Sequence, residues 1–431
     1  MAFGVADTMV AGRHSEAALA ALSVGSAVYI SVFVALMGVL QALLPTWAEL
    51  HGAGRHEDLG RSVRQALYLA GIALLVGGWV LLFPEVVMRW TEVPLALQQD
   101  AGEYLGVLAF ALPAALLFRM YSTLNQSLGR PVLVTWLQAL ALAVKVPLTV
   151  WFAFGGLGLP AMGAVGCAWA TVAVNYLLLA SALWLLRTRP LYRPYAIWRR
   201  MERPHWPTIG HFARLGIPGG MSVLVEVTSF TLMALFIARQ GVVATAAHQI
   251  AANLAALMYM VPLSIAIATS ARVSFWLGAG EARRARLAIR TGFKLGLALA
   301  LTLSALVALG RWNIAAVYSR NPEVVALAAG LLAWLAGYHL GDAIQALCVF
   351  VLRCYRVAVA PMVAYCVFLW GVGLAGGYAL AYRTTGLWAA QRTPAAFWAA
   401  STVALALLGV VLPVILWRAV RSLPPPAPAP R

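Results

Sequence analysis

Three acidic residues stand where acids are expensive. Of 14 Asp and Glu, eleven fall in loops or at the ends of apolar runs, whereas Asp7, Glu226 and Asp342 lie inside them. Glu226 sits midway along LGIPGGMSVLVEVTSFTLMALFIA, Asp342 in LAWLAGYHLGDAIQALCVFVL and Asp7 in MAFGVADTMVAG. An ionised group within hydrocarbon costs several kcal/mol unless it faces a cavity or a partner. A structural ion pair is the plainest reading of each acid. Lys145, however, is the one basic residue expected deep inside the membrane, the others lying in loops or near the ends of runs, so three carboxylates cannot all be paired that way. With all four groups ionised the interior carries −2. Such an interior is relieved when the acids take up protons or when they bind cations. Both are what an ion-coupled carrier of cationic solutes requires.

The elements that hold these acids follow from composition. The chain has 431 residues, 62% hydrophobic and 10% charged, with mean hydropathy +0.84. A soluble domain carries about 25% charged residues, so this pool cannot build a water-facing surface. Apolar runs near 20 residues, broken by Gly, Pro and Arg clusters, specify spanning helices rather than the alternating strands of a barrel. Eleven such runs are legible, at roughly 20–46, 64–83, 101–119, 131–154, 161–186, 212–238, 246–276, 287–309, 324–350, 358–382 and 395–417. The short loops between them leave no room for a soluble catalytic domain.

The net charge of +17 is a topology signal. With the 46–64 loop on one side, and with Lys145 and the membrane-proximal Arg272 set aside as lying within spans, that side gathers 22 Lys and Arg, against seven opposite: Arg13, Arg89, Arg239, Arg311, Arg320, Arg383 and Arg392. The basic loops and the C-terminus are therefore expected in the cytoplasm, touching anionic lipid headgroups, with no nucleic-acid partner. Cys167, Cys348, Cys354 and Cys366 all lie in or beside apolar runs without metal-ligand spacing, and read as packing residues.

A repeat organises the spans. HGAGRHEDLGRSVRQAL resembles LGAGEARRARLAIRTGF, with Gly52-Ala53-Gly54 matching Gly278-Ala279-Gly280 at a shift of 226, Pro94 matching Pro322 at 228, and Pro131 matching Pro361 at 230. Two six-helix halves related by duplication are expected. Residues 1–190 form an N-lobe, 191–211 a cytoplasmic linker, 212–420 a C-lobe and 421–431 a disordered Pro-rich tail. On this pattern Met1–Gly12 is the second half of a first helix whose opening residues are absent.

At these residues the chain resembles the multidrug and toxic compound extrusion (MATE) family, in its NorM-like branch. The matching segments are ADTMVAGR at 6–13, LGLPAMGAVGCAWAT at 157–171, IPGGMSVLVEVTSF at 217–230, ATAAHQIAANLAALMYMVPLSIAIATSARVSFWLG at 244–278 and YHLGDAIQALCVFVLRCYR at 338–356. The resemblance implies an all-α, twelve-helix, two-lobe, V-shaped transporter around a central cavity. It further implies export of organic cations, drugs among them, in exchange for Na⁺ or H⁺. Matched by position, Glu226 and Asp342 correspond to the C-lobe cation site, where a Na⁺ would sit, and Asp7 to the N-lobe acid. Two departures stand out: the family usually has Asn where this chain has Lys145 and again where it has Thr149. Lys145 is thus a candidate charge partner of Asp7, with snorkelling to the interface as the alternative.

Neutral groups that could serve a cation or a substrate are Asn175, Gln249, Asn253, Tyr338, His339 and Gln345, each with interhelical hydrogen bonding as the competing role. His339 lies one turn before Asp342, and Gln345 one turn after it. His248 reads more simply as a packing histidine, while Met258, Tyr259 and Met260 suit a greasy, adaptable substrate surface. No nucleophile–base arrangement, Walker motif or dinucleotide turn stands out, so neither an enzyme, a cofactor nor direct ATP use is indicated. The expectation is a monomeric, multi-pass antiporter of the bacterial inner membrane working by alternating access. The alternative within the superfamily is a lipid-linked oligosaccharide flippase, whose cationic cavity these acids oppose.

Overall fold

The computed structural model describes residues 2–84, 95–156, 158, 160–384 and 389–422. Arg89, Pro94 and the Pro-rich end from 423 onward, all used above, lie outside the described residues. The described chain is helical in eleven segments long and apolar enough to cross a membrane. Each expected run appears as one of them, most with at least one end that reaches further, as from 287–309 to Ala282–Tyr318. Helices continue past the hydrocarbon because their polar end turns still satisfy backbone hydrogen bonds in the interfacial layer.

In chain order the helices are α1 (Ala2–His14), α2 (Glu16–Gln41), α3 (Leu43–Gly52), α4 (His56–Leu82), α5 (Leu95–Ser127), α6 (Pro131–Phe154) and α7 (Gly163–Thr188). After a short 3₁₀ turn at Pro190–Tyr195 come α8 (Trp206–Ala238), α9 (Val242–Gly278), α10 (Ala282–Tyr318) and α11 (Pro322–Cys354). The run Val359–Tyr365 (α12) widens into π-helical turns at Cys366–Ala375 and closes as α13 (Gly376–Tyr382), and α14 spans Pro394–Ser422. Ser15 separates α1 from α2 in extended backbone, and its Oγ accepts the amide of Ala18 at 3.0 Å, a side-chain N-cap.

The chain divides into two compact units, Met1–Gly220 and Met221–Arg431. In the first, α5 packs against α2, α3, α4 and α7, and α1 lies against α2, α6 and α7. In the second, α11 is the central helix, wrapped by α9, α10 and α14. Close approach there depends on a residue without a side chain: a Cβ on Gly341 would stand 2.9 Å from the backbone of Leu405.

The repeat read from the sequence recurs in the backbone. Gly54 and Gly280 both take left-handed φ, 69° and 75°, after helix ends at which Ala53 and Ala279 have nearly the same angles. That conformation favours glycine, which explains why the Gly-Ala-Gly triplet is legible in both halves.

The linker is tied to the first unit. Arg64 donates to Ala196 O and to Glu202 Oε1, both at 2.8 Å, and the Tyr68 hydroxyl donates to Glu202 O at 2.8 Å. Gln65 bridges Arg203 O and the amide of His205. The hydrogen bond and the charge of Arg64 hold the Glu202 carboxyl below its ordinary value, with Arg61 adding to the effect. All four cysteines are free, and three of them are buried.

One expectation is corrected. Lys145 is not alone among basic residues inside the bundle. Arg353, one of the 22 basic residues counted above to the cytoplasmic side, forms the last turn of α11, is buried, and its guanidinium carbon lies 4.7 Å from the Phe350 ring centroid. The short polar stretch after Arg353 hides its burial from a reading based on hydropathy alone.

Candidate functional site

The three acids fall into two separate constellations. In the first unit, α1 presents Asp7, α6 presents Lys145 and Thr149 one turn apart, and α7 presents Thr171. The Lys145 Nζ lies 2.9 Å from each of the Asp7 carboxylate oxygens and donates to Thr171 Oγ1 at 2.6 Å. Thr149 Oγ1 donates to Asp7 Oδ1 at 3.3 Å. Thr171 in turn donates to Cys167 O, so its hydroxyl has a partner on each side. The Phe3 ring centroid is 5.7 Å from the ammonium. Lys145 and Thr149 have no exposed surface at all, and Asp7 has 6%.

In the second unit, Glu226 on α8 and Asp342 on α11 lie within electrostatic reach of one another. The Tyr259 side chain of α9 stands beside Glu226. Gln345 Nε2 donates to Asp342 Oδ1 at 2.8 Å. Tyr338 on α11 and Tyr365 at the end of α12 stand near both acids, and Arg353 near Glu226. Among the described residues neither acid forms an ion pair with Lys or Arg. Asp342 is buried, while Glu226 keeps partial exposure. Two further buried atoms have no hydrogen-bond partner: Gln345 Oε1 and His339 Nε2. Two carboxylates and an unspent amide oxygen form an acceptor-rich cluster with the oxygen chemistry of a hard cation.

Four of the expected residues gather here: Glu226, Asp342, Tyr338 and Gln345. His339 is buried beside them on α11 but makes no hydrogen bond to Asp342. Asn175 belongs to the first unit, where its Nδ2 donates to Thr171 O at 2.8 Å within its own helix. Gln249 and Asn253 are exposed on α9, away from both acids' hydrogen bonds. His248 accepts from the Trp398 indole N–H at 3.3 Å, as a packing histidine does. Trp398 packs in turn against Phe230 and Tyr338, an aromatic cluster that backs the acids.

Thr171, Tyr365, Arg353 and the place of Tyr259 beside Glu226 were not anticipated. Thr171 carried a signal, being one turn before the flagged Asn175. The others are set by packing between helices distant in sequence. A hollow of about 210 Å³ lined by Phe293, Leu297, Ala343, Ile344, Leu347, Gly409 and Pro413 is apolar and holds none of the carboxylates.

Comparison with known proteins adds the context. A family model described as MatE matches residues 1–151 and 218–379. The chain is 39% identical over 95% of its length to the "Probable multidrug resistance protein NorM" of Aromatoleum aromaticum, covering 89% of that protein. It is 34% identical over 97% of its length to the "Multidrug resistance protein PmpM" of Pseudomonas aeruginosa, covering 88% of it. Among solved structures, a single-substitution form of the Vibrio cholerae MATE transporter VcmN superposes with TM-score 0.86 at 16% identity, over 98% of this chain and 93% of that one.

Proposed function

The chain belongs to the MatE family, in its NorM-like branch, and is a membrane transporter rather than an enzyme; from that premise we propose that it exports organic cations in exchange for an inward-moving Na⁺ or H⁺. Its relatives are named for multidrug resistance, and efflux of several drugs is the corresponding activity here. One observation carries the coupling: Glu226 and Asp342 share the second unit without a basic ion-pair partner, beside an unpaired buried amide oxygen. A negative pair within a spanning bundle is tolerable when a proton or a small cation neutralises it. Coupling ion and substrate then compete, because each brings the positive charge the carboxylates lack. Alternating access of two six-helix halves makes that competition vectorial.

The transporter works as a monomer in the bacterial inner membrane on this reading. Its basic loops and C-terminus face the cytoplasm, where anionic headgroups meet the Arg-rich turns. The acids argue against an oligosaccharide-pyrophosphate substrate, which carries the same sign of charge.

The experiment is ethidium or norfloxacin efflux from cells or proteoliposomes under imposed pH and Na⁺ gradients. Glu226→Gln and Asp342→Asn are each expected to abolish the gradient dependence. Unaltered gradient-driven efflux in both variants removes the coupling site.

A further inference from the structure

The ammonium of Lys145 is held as a bound ion is held. Its three N–H bonds have three oxygen partners, both Asp7 carboxylate oxygens at 2.9 Å and Thr171 Oγ1 at 2.6 Å. Thr149 braces the carboxylate from the side, and the Phe3 ring adds a cation–π contact. Cys167 Sγ, 4.0 Å from Asp7 O, closes the site from α7. An ammonium is a compact point charge with three donors. The site that receives it is made of oxygens and one ring face, with no exposed surface on Lys145.

The surroundings belong to the first unit alone. Asp7 comes from α1, Lys145 and Thr149 from α6, Thr171 and Cys167 from α7. The charge there is already balanced, one acid against one base, unlike the pair in the second unit. A tethered cation cannot be released to either side of the membrane, so a site filled by it does not exchange ions.

We propose that Lys145 is a resident cation: its side chain permanently fills a monovalent-cation site built around Asp7, so that ion coupling passes through Glu226 and Asp342 alone. Shortening Lys145 uncovers that latent site for a small free cation, a primary ammonium or an alkali ion. The inference rests on the transport reading for its second clause. Its first clause, the latent site, stands on the Asp7 geometry by itself.

The test uses the purified full chain and n-propylammonium chloride, which supplies the part of the side chain that Lys145→Ala deletes. Thermal unfolding in detergent is followed for the parent and for Lys145→Ala, with tetramethylammonium chloride as a cation too bulky for the site. Lys145→Ala is expected to melt below the parent and to regain at least half of the loss in propylammonium, while tetramethylammonium does nothing and the parent is unmoved. Equal responses of parent and variant to the two salts overturn the proposal. Should Lys145→Ala not be recovered folded, Lys145→Ser is put to the same pair of salts, since it leaves a hydroxyl facing Asp7. Failure of both variants to fold even when expressed with propylammonium also overturns it.

Bound ²²Na⁺ is counted in parallel, with an expected gain of one site per chain in the variant over the parent. No gain limits the latent site to ammonium if propylammonium rescues, and overturns the proposal if it does not. Repeating the rescue in a Glu226→Gln background separates the two readings. Persistent rescue there supports the resident cation whatever becomes of the coupling site, and lost rescue overturns it.

Discussion

Gln345 donates from Nε2 to Asp342 Oδ1 at 2.8 Å, one helical turn along α11, while its own Oε1 is buried without a partner. A neutral amide that steadies a carboxylate and keeps an acceptor unspent is suited to a cation that comes and goes. A buried unpaired polar atom costs about 1–3 kcal/mol, a cost that a bound cation removes.

Replacing Gln345 by Leu deletes the donor and the acceptor together. The cation dependence of drug efflux should weaken about tenfold, corresponding to one charge-assisted hydrogen bond of roughly 1.4 kcal/mol. Efflux titrated against Na⁺ and against pH reads this directly, and an unchanged half-point in both titrations counts against a role for Gln345.

Packing along α11 makes a separate prediction. Gly341→Ala places a methyl 2.9 Å from the backbone of Leu405, so α11 and α14 must part. The cost should be about 1–3 kcal/mol, the usual range for overpacking. Gly330→Ala on the same helix meets nothing within 4 Å and serves as the control. It should hold or slightly raise the melting temperature, since it narrows the unfolded ensemble. Similar melting of the two variants would falsify the close approach.

Trp398→Phe removes the indole N–H that His248 Nδ1 accepts, leaving a buried imidazole nitrogen unpaired. The expected loss is about 1–3 kcal/mol in chemical unfolding, added to a small cavity term. His248→Leu in the Trp398→Phe background should recover part of it, because the orphaned nitrogen disappears. Strict additivity of the two substitutions would show that the hydrogen bond contributes nothing.

The linker has a pH dependence whose sign is defined. Glu202 is held below its ordinary value of 4.5, chiefly by the hydrogen bond from Arg64. A carboxylate with a lowered folded value contributes stability that is fully present above about 4.5 and is lost as the pH falls through that lowered value. Amide protection factors across 196–205, that is, exchange corrected for the intrinsic pH dependence of the amide, should therefore fall in the parent as the pH drops below 4.5. In Glu202→Gln the protection should be lower at neutral pH and flat across the same range. Identical pH profiles for the two proteins would remove the ionic staple.

Much of the fold was legible because a membrane writes its demands along one dimension. Residues such as those of 287–309 announce a span by an unbroken apolar run, and helix ends differ because polar end turns carry no hydropathy signal. The Gly-Ala-Gly triplets revealed the repeat since left-handed backbone at Gly54 and Gly280 restricts the residue type. Site legibility was uneven. Asp342 and Gln345 share a helix face, so their spacing predicts their meeting, whereas Tyr259, Tyr365 and Arg353 reach Glu226 from α9, α12 and α11.

The amino-acid order by itself determined the class, the eleven spans and the presence of three acids among them, because burying charge in lipid is costly wherever the chain runs. Only the tertiary structure decided which acid has a counter-charge. Asp7 and Lys145 are separated by 138 positions yet lie 2.9 Å apart, while Glu226 and Asp342 have no such pair among the described residues. Electrostatic energy falls with distance through space and is indifferent to distance along the chain.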